Sequence, residues 1–115
     1  MILLVCGGRD YDDTDFLEKF LDDLAEKHRI TLLIHGGARG ADELASNWAW
    51  SRDIPRKEYK AYWNKHGNAA GPIRNKLMLT EGKPDLVIAF PGGSGTADCI
   101  RQAKLLGIKV IEYNL

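Results

Sequence analysis

Apolar runs of four to six residues alternate along the chain with stretches whose apolar residues recur at helical spacing. Three such runs, one weaker, charged segment and a final segment after Gly107 predict five strands, at Ile2–Cys6, Ile30–His35, Arg56–Ala61, Asp85–Phe90 and Ile108–Tyr113. A continuous apolar run is typical of a parallel strand that is covered on both faces. Because the third segment is rich in charge, we expect it at an edge of the sheet.

Helical periodicity predicts two helices in the first half of the chain. Asp15 and Glu18 have the spacing of a capping box at the start of the first helix. The two apolar stripes consist of Phe16, Leu17, Phe20, Leu21, Leu24 and Ala25, and then of Ala41, Leu44, Ala45, Trp48 and Ala49. Trp48 is therefore expected in the core, whereas Trp50 falls on another face and is a candidate for a subunit contact.

Two further helices are predicted in the second half. Residues 64–71 are expected to form a loop, and Pro72 suits the first turn of the helix that follows, whose buried side would carry Ile73, Leu77 and Met78. The last helix is predicted from about residue 96 to residue 106. Gly107 is placed to cap it.

Strands that alternate with helices predict the fold class. Right-handed crossovers favour a parallel sheet with helices on both faces, which is a Rossmann-like, three-layer α/β domain. The expected strand order is 3-2-1-4-5, and the whole chain, residues 1–115, is expected to form one domain.

Composition narrows the class of protein. The 16 basic and 16 acidic side chains cancel, so nucleic acid is not an expected partner, because its binding requires several phosphates to be neutralised. No apolar run approaches the length of a membrane span, and no leader peptide is recognised, so membrane association is not expected. Cys6 and Cys99 are expected to be reduced thiols, which fits a cytoplasmic location.

Three glycine-rich turns follow apolar strands, at residues 7–10, 36–42 and 91–98. The carboxyl ends of parallel strands share one edge of the sheet, where ligands bind. Glycine lets a phosphate approach backbone amides, and a following helix adds free amides and the positive end of its dipole. The candidate ligand-binding residues in these turns are Gly7, Gly8, Gly36, Gly37, Gly92, Gly93, Ser94, Gly95 and Thr96.

Cationic and aromatic side chains accompany these turns. Arg9, Arg39 and Arg74 are candidates for pairing with phosphate, because the guanidinium group grips phosphate with two hydrogen bonds. Asn75 follows Arg74, and Trp63 is placed to stack on a base or a ribose. The motifs of P-loop and dinucleotide-binding proteins are absent.

The remaining polar candidates have structural alternatives. Asp42 and Asp98 lie near helix starts and are expected to act as caps, while the role of Asp10 stays open. His35 is expected to be a structural histidine rather than a base. Three histidines without paired Cys or His spacing give no reason to expect a metal site, and no cofactor is expected besides a nucleotide-type ligand.

Several motifs together resemble one family over essentially the whole chain. They are residues 7–10, residues 35–42, Trp63 with Gly67, residues 70–75 and residues 91–96. The chain resembles the YspA/cpYpsA-related (YAcAr) branch of the SLOG superfamily, whose Rossmann-like domains bind nucleotides and nucleotide-derived ligands. The superfamily includes the LOG phosphoribohydrolases, the domain of DNA-processing protein A, and ligand-sensing domains of bacterial immunity proteins. The resemblance also implies a possible homo-oligomer, since relatives associate through helices beside the site.

The resemblance to the LOG enzymes is incomplete. Their motif PGGxGTxxE is matched from Pro91 to Thr96, but the catalytic glutamate would fall at Cys99. Arg74 corresponds to their catalytic arginine. The resemblance therefore implies a module that senses or sequesters a nucleotide, and the alternative is a hydrolase of the LOG type that cleaves an N-glycosidic bond. In that case the catalytic candidates are Arg74, Asp10 and Asp98.

Overall fold

Every strand runs parallel to its neighbours, as expected for strands joined by helical crossovers. The computed structural model describes residues 1–113. Its sheet has the order β3-β2-β1-β4-β5, as predicted. The strands are β1 Ile2–Cys6, β2 Leu32–His35, β3 Arg56–Glu58, β4 Leu86–Ala89 and β5 Lys109–Glu112, and the helices are α1 Thr14–Lys27, α2 Ala41–Ser51, α3 Trp63–His66, α4 Ala70–Thr80 and α5 Ser94–Leu105.

Two apolar clusters lie on opposite faces of the sheet. Leu3 and Val5 of β1 pack with α1 and α2, whereas Leu4 and Cys6 pack with α4 and α5. This alternation follows from the two-residue period of a strand. Strand β1 is therefore covered on both faces, and the molecule is a three-layer α/β domain. Trp48 is fully buried in the first cluster, as predicted, while Trp50 is 70% exposed.

The strands agree with the sequence prediction in place but are shorter. Strand β2 begins at Leu32 rather than residue 30, and β3 ends at Glu58 rather than residue 61. Strand β3 lies at the edge of the sheet, as its charge predicted, and all three of its residues are exposed. Strand β5 forms the opposite edge.

The predicted capping box of α1 is wrong. Helix α1 begins at Thr14, and Asp13 is its N-cap, because the Asp13 carboxylate accepts a hydrogen bond of 3.1 Å from the Phe16 amide. Asp15 lies inside the first turn instead, where its negative charge still favours the positive end of the helix dipole.

Residues 64–71 do not form the predicted loop. Helix α3 occupies residues 63–66, a 3-10 turn follows over Gly67–Ala69, and α4 already begins at Ala70. Pro72 does lie in the first turn of α4, but Ile73 and Leu77 are more than a third exposed. The buried side of α4 carries Met78, as predicted, together with Asn75. The Asn75 side chain faces α5, where it bonds to Gly95 and Asp98.

Helix α5 begins at Ser94, two residues before its predicted start. Its C-terminal end agrees with the prediction, because Gly107 has a φ of +75° and follows the C-cap Leu106. None of the helices within residues 1–113 combines the length and apolar character needed to cross a membrane.

Helices α1 and α2 are joined by a polar contact at the edge of their apolar interface. The Asp22 carboxylate accepts hydrogen bonds from the buried Trp48 indole N–H at 2.8 Å and from Arg52 Nη2 at 2.7 Å. The arginine contacts lower the pKa of Asp22 most strongly, against an opposing effect of burial, and the Trp48 N–H adds to them.

We expect Asp22→Ala to lower the free energy of unfolding by about 1–3 kcal/mol, because it leaves the buried Trp48 N–H without an acceptor. Urea denaturation measures the change, and Asp23→Ala, at an exposed neighbouring position of α1, is the matched control. Equal effects of the two substitutions would contradict the assigned role of Asp22.

Candidate functional site

The three glycine-rich turns meet at the carboxyl edge of the sheet through the backbone of Gly8. The Gly8 amide donates to the Pro91 carbonyl at 2.9 Å, and the Gly8 carbonyl accepts from the Ala41 amide at 3.1 Å. These bonds join the end of β1 to the end of β4 and to the start of α2. The turns thus form one continuous rim.

Close packing explains the glycines at this junction. A Cβ atom on Gly8 would lie 2.9 Å from the Pro91 carbonyl oxygen, and one on Gly92 would lie 2.6 Å from the Gly8 amide nitrogen. Gly40, the N-cap of α2, has a φ of +82° and packs against the backbone of residues 8 and 9. These glycines are required by the fold itself.

Two adjoining clefts open along the rim, with volumes of about 630 and 530 Å³. They share Arg9, Ala38, Trp63 and Arg74 in their walls. The larger cleft is lined by most of the residues that the sequence predicted for ligand binding: Gly7, Gly8, Arg9, Trp63, Arg74, Asn75, Gly93, Ser94, Gly95 and Thr96. The smaller cleft adds Gly36, Gly37 and Arg39, and Gly92 lines neither.

The second glycine turn does not offer its amides to a ligand. The Gly36 and Ala38 amides donate to the Asp42 carboxylate at 3.2 and 3.3 Å, and the Gly37 amide donates to His35 Nδ1 at 3.0 Å. The expectation that this turn and Gly8 would hold phosphate through their amides does not fit this geometry. The amides of Gly8 and of residues 36–38 hold the rim together instead.

The third turn differs, because it leads directly into α5. Its N-cap, Gly93, has no side chain to bond the first amides of α5, and these amides have no partner within the helix. Gly93, Ser94, Gly95 and Thr96 line the larger cleft. The first turn of α5 thus presents amide groups and the positive end of the helix dipole to the cleft, which is an arrangement suited to an anion.

Arg74 lies on the border of the two clefts and is held there. Its Nη1 donates to the Gly36 carbonyl at 2.7 Å, and its Nε donates to Asn75 Oδ1 at 3.0 Å. The Asn75 amide group donates in turn to the Gly95 carbonyl at 3.2 Å and to Asp98 at 3.0 Å. Asn75 therefore positions Arg74 relative to the start of α5.

Arg9 and Trp63 form the other part of this border. The guanidinium carbon of Arg9 lies 5.6 Å from the centre of the Trp63 ring, within the range of a cation–π interaction. Trp63 is 47% exposed, so its ring remains accessible from the cleft. Gly71 faces the ring edge, where an added Cβ atom would lie 3.3 Å from the indole.

Arg39 and Asp10 lie farther out. They form an ion pair at 3.7 Å, with side chains that are 73% and 98% exposed, so the pair contributes little stability. Asp10 lines neither cleft. This position does not suit the catalytic role considered for it.

Asp98 is not a helix cap, contrary to expectation. It lies in the second turn of α5, lines the larger cleft and accepts hydrogen bonds from Asn75, Gln102 and Arg101. Burial by itself would raise the pKa of Asp98, but these three donors outweigh it and lower the pKa. Asp98 is therefore a fixed carboxylate, and its neighbour Cys99 faces the apolar cluster under the sheet.

Asp42 is not a cap either, and its place in the site was missed from the sequence. It lies at the second position of α2, where its carboxylate reaches back to the amides of residues 36 and 38 and lines the larger cleft. Burial raises the pKa of Asp42 to about 6, against the opposing effects of those amides and of Arg74. One signal was available in the sequence, because Asp42 shares the helical face of Ala45 and Ala49.

Cys6 and His35 end the two buried strands β1 and β2 beneath the clefts. Hydrogen bonding with Cys99 and burial raise the pKa of Cys6 well above its usual value, so the thiol stays protonated and is a poor nucleophile. Both cysteines are free and buried. Burial lowers the pKa of His35, and its Nδ1 accepts from Gly37, which agrees with a structural role. Among residues 1–113, no three His, Cys, Asp or Glu side chains are grouped to hold a metal ion.

Comparison with known proteins identifies the family of this chain. The family model described as "YspA, cpYpsA-related SLOG family" (YAcAr) matches residues 1–66, which is more than half of the chain. The chain belongs to this family. The match includes the first two glycine turns and Trp63 but ends before Arg74 and the third turn.

A relative of similar length extends the comparison beyond the family model. The chain is 36% identical over 119 aligned residues to the "Gene 61 protein" of Mycobacterium phage D29, and the alignment covers 96% of this chain and 94% of the phage protein. Because both proteins are covered almost completely, the likeness to the phage protein extends beyond residue 66, where the family match ends.

The raised pKa of Asp42 predicts a pH dependence of stability. The folded-state pKa of about 6 exceeds the ordinary 3.8, so the folded protein binds a proton that the unfolded chain has already lost. The contribution of Asp42 to stability therefore falls as the pH rises from about 4 to about 6 and is constant above that range.

We expect wild type to lose stability relative to Asp42→Asn as the pH rises. Between pH 4 and pH 7 the free energy of unfolding of wild type should fall by up to about 3 kcal/mol more than that of the variant, at about 1.4 kcal/mol per pKa unit. Urea denaturation at several pH values measures it. The substitution removes the titrating group, so other carboxylates cancel in the comparison. A difference that does not vary with pH would contradict the assignment.

Proposed function

We propose that this protein binds a nucleotide, or a phosphate-bearing derivative of one, in the larger cleft, and acts as a sensing or sequestering module. Membership of the SLOG family supports a nucleotide-related ligand. The observation that carries the proposal is the pair of glycines at the start of α5. At these two positions glycine is not needed for folding, so a role in ligand binding can be tested separately.

Neither backbone conformation nor close packing requires glycine at positions 93 and 95. The chain has twelve glycines, and all of them lie within the described residues. Each of the other ten has either a positive φ or a neighbouring atom close to the place of a Cβ, whereas a Cβ on Gly93 or Gly95 would meet nothing within 4 Å. Because both residues line the cleft, the open space beside them is space for a ligand.

The surrounding groups suit a nucleotide. A phosphate at the amides of residues 94–96 would lie in the same cleft as the guanidinium groups of Arg9 and Arg74, which pair well with phosphate. The exposed ring of Trp63 provides a surface on which a base or ribose can stack. The order along the cleft is thus phosphate at α5 and base toward Trp63.

Gly95→Ala tests this proposal directly. The added methyl group meets no protein atom, and alanine is favoured over glycine in a helix by up to about 1 kcal/mol, so we expect unchanged or slightly higher stability. The same methyl group would occupy the approach of the phosphate. We therefore expect affinity for the best-binding nucleoside monophosphate to fall at least tenfold, measured by calorimetry after a thermal-shift screen.

Two comparisons make this test specific. Gly92→Ala places its methyl group 2.6 Å from the Gly8 amide, so it should lower stability, which Gly95→Ala should not. Arg29→Ala removes an exposed arginine beside the amino end of β2, at the opposite edge of the sheet, and should leave affinity unchanged. If wild type binds no nucleotide, or if Gly95→Ala binds nucleotides as tightly as wild type does, the proposal fails.

The second candidate function is hydrolysis of the N-glycosidic bond of the bound nucleotide. The observation that favours it is the buried Asp42 at the cleft, whose pKa of about 6 suits a general acid or base near neutral pH. In such a reaction water adds to C1′ of the ribose, the bond to the base breaks, and a proton reaches the departing base. The buried thiol of Cys99 occupies the position of the LOG glutamate, so a different carboxylate is required.

Turnover separates the two candidates. For a hydrolase we expect wild type to release free base from a nucleoside monophosphate, detected by chromatography, and Asp42→Asn to reduce the rate at least 100-fold while it still binds the nucleotide. Asp23→Asn, at an exposed position of α1 outside both clefts, is the control and should leave the rate unchanged. If wild type releases no free base, hydrolysis is refuted and ligand binding remains the proposed function.

A further inference from the structure

The smaller cleft has an unbalanced positive charge. Its walls carry Arg9, Arg39, Lys60 and Arg74 but one carboxylate, Glu58. Arg39 has only a long, exposed contact to Asp10 at 3.7 Å, and within residues 1–113 Lys60 has no ion-pair partner. Arg9 and Arg74 also line the larger cleft. The charged side chains that line only the smaller cleft, Arg39 and Lys60 against Glu58, leave it an excess of one positive charge in a chain whose net charge is zero.

The larger cleft is different, because equal numbers of cationic and anionic side chains line it. Arg9 and Arg74 are accompanied there by Asp42 and Asp98, and the amides of α5 are available to an anion. A phosphate at α5 therefore does not require the cations Arg39 and Lys60, which line only the smaller cleft. These two side chains take no part in the proposed phosphate site at α5.

The two clefts adjoin at Arg9, Trp63 and Arg74, which line both. Arg74 is fixed at this border by its bond to the Gly36 carbonyl, and Arg9 lies over the Trp63 ring. A ligand that stacks on the exposed Trp63 ring would thus have one end in each cleft.

We propose that the ligand has two separate phosphate groups, one at the start of α5 and a second in the smaller cleft beside Arg39 and Lys60, on either side of Trp63. Its chemical class is a nucleotide with a second phosphate at least one ribose away from the first, as in a 5′-phosphorylated dinucleotide. This inference rests on the proposed function, because it requires the first phosphate to bind in the larger cleft.

The experiment compares probes that differ in the second phosphate. The probes are adenosine and guanosine 5′-monophosphates, the corresponding 5′-diphosphates, the 3′,5′-bisphosphates, and 5′-phosphorylated dinucleotides of the same bases. Calorimetry on wild type should show at least tenfold tighter binding of the bisphosphate or the dinucleotide than of the monophosphate. The diphosphate should gain less, since its two phosphates are adjacent.

Lys60→Gln then locates the second phosphate. We expect it to remove most of the affinity gained by the second phosphate while leaving monophosphate affinity unchanged, and Arg39→Gln should act in the same direction. Lys60→Arg retains the charge and should keep the gain. Lys19→Gln, at an exposed position of α1, is the matched control for the loss of one positive charge.

The outcomes distinguish this inference from the proposed function. If monophosphates bind but a separate second phosphate adds nothing, or if the gain persists in both Lys60→Gln and Arg39→Gln, the second site is refuted and the first remains. If the diphosphate binds as tightly as the dinucleotide, both phosphates lie in one cleft and the inference is also refuted. If no probe binds, both proposals fail.

Discussion

The backbone of Gly8 is the contact on which the site depends. Its amide and carbonyl bond to Pro91 and to Ala41, so the ends of β1 and β4 and the start of α2 lie within hydrogen-bonding distance of one another. A side chain at this position would push the turns apart. Because the central strand β1 carries this junction, the sheet order places every glycine turn at one rim and leaves the two clefts between them.

The three turns look alike in sequence but have different functions in the structure. The Gly8 amide in the first turn and the amides of residues 36–38 in the second bond to carbonyl, carboxylate and imidazole groups of the protein, and so stabilise the rim. The third turn places Gly93 and Gly95 in open space at the start of a helix. A glycine-rich turn is therefore evidence for a ligand only under two conditions: its amides have no partner within the protein, and no protein atom fills the space where a side chain would begin.

Charge in the rim is organised by the carboxylates. Asp98 is bound by three donors and holds Asn75, which in turn positions Arg74. Asp42 ties down the second turn and has a raised pKa because it is buried. Both carboxylates line the larger cleft beside Arg9 and Arg74, whereas the cations Arg39 and Lys60 line only the smaller cleft.

The sequence by itself determined the fold class, the strand order, the edge position of β3 and the identity of most residues at the rim. Apolar periodicity and glycine turns are local signals, and a parallel sheet brings the turns that follow its strands together at one edge. It did not predict the helical structure of residues 63–69 or the direction in which α4 turns, since a short polar segment has weak local preference and tertiary packing decides it. Only the tertiary structure showed that Asp42 and Asp98 face the cleft, that Asp10 does not, and which amides remain open. Those properties depend on contacts between residues far apart in the chain, for which spacing along the sequence carries no information.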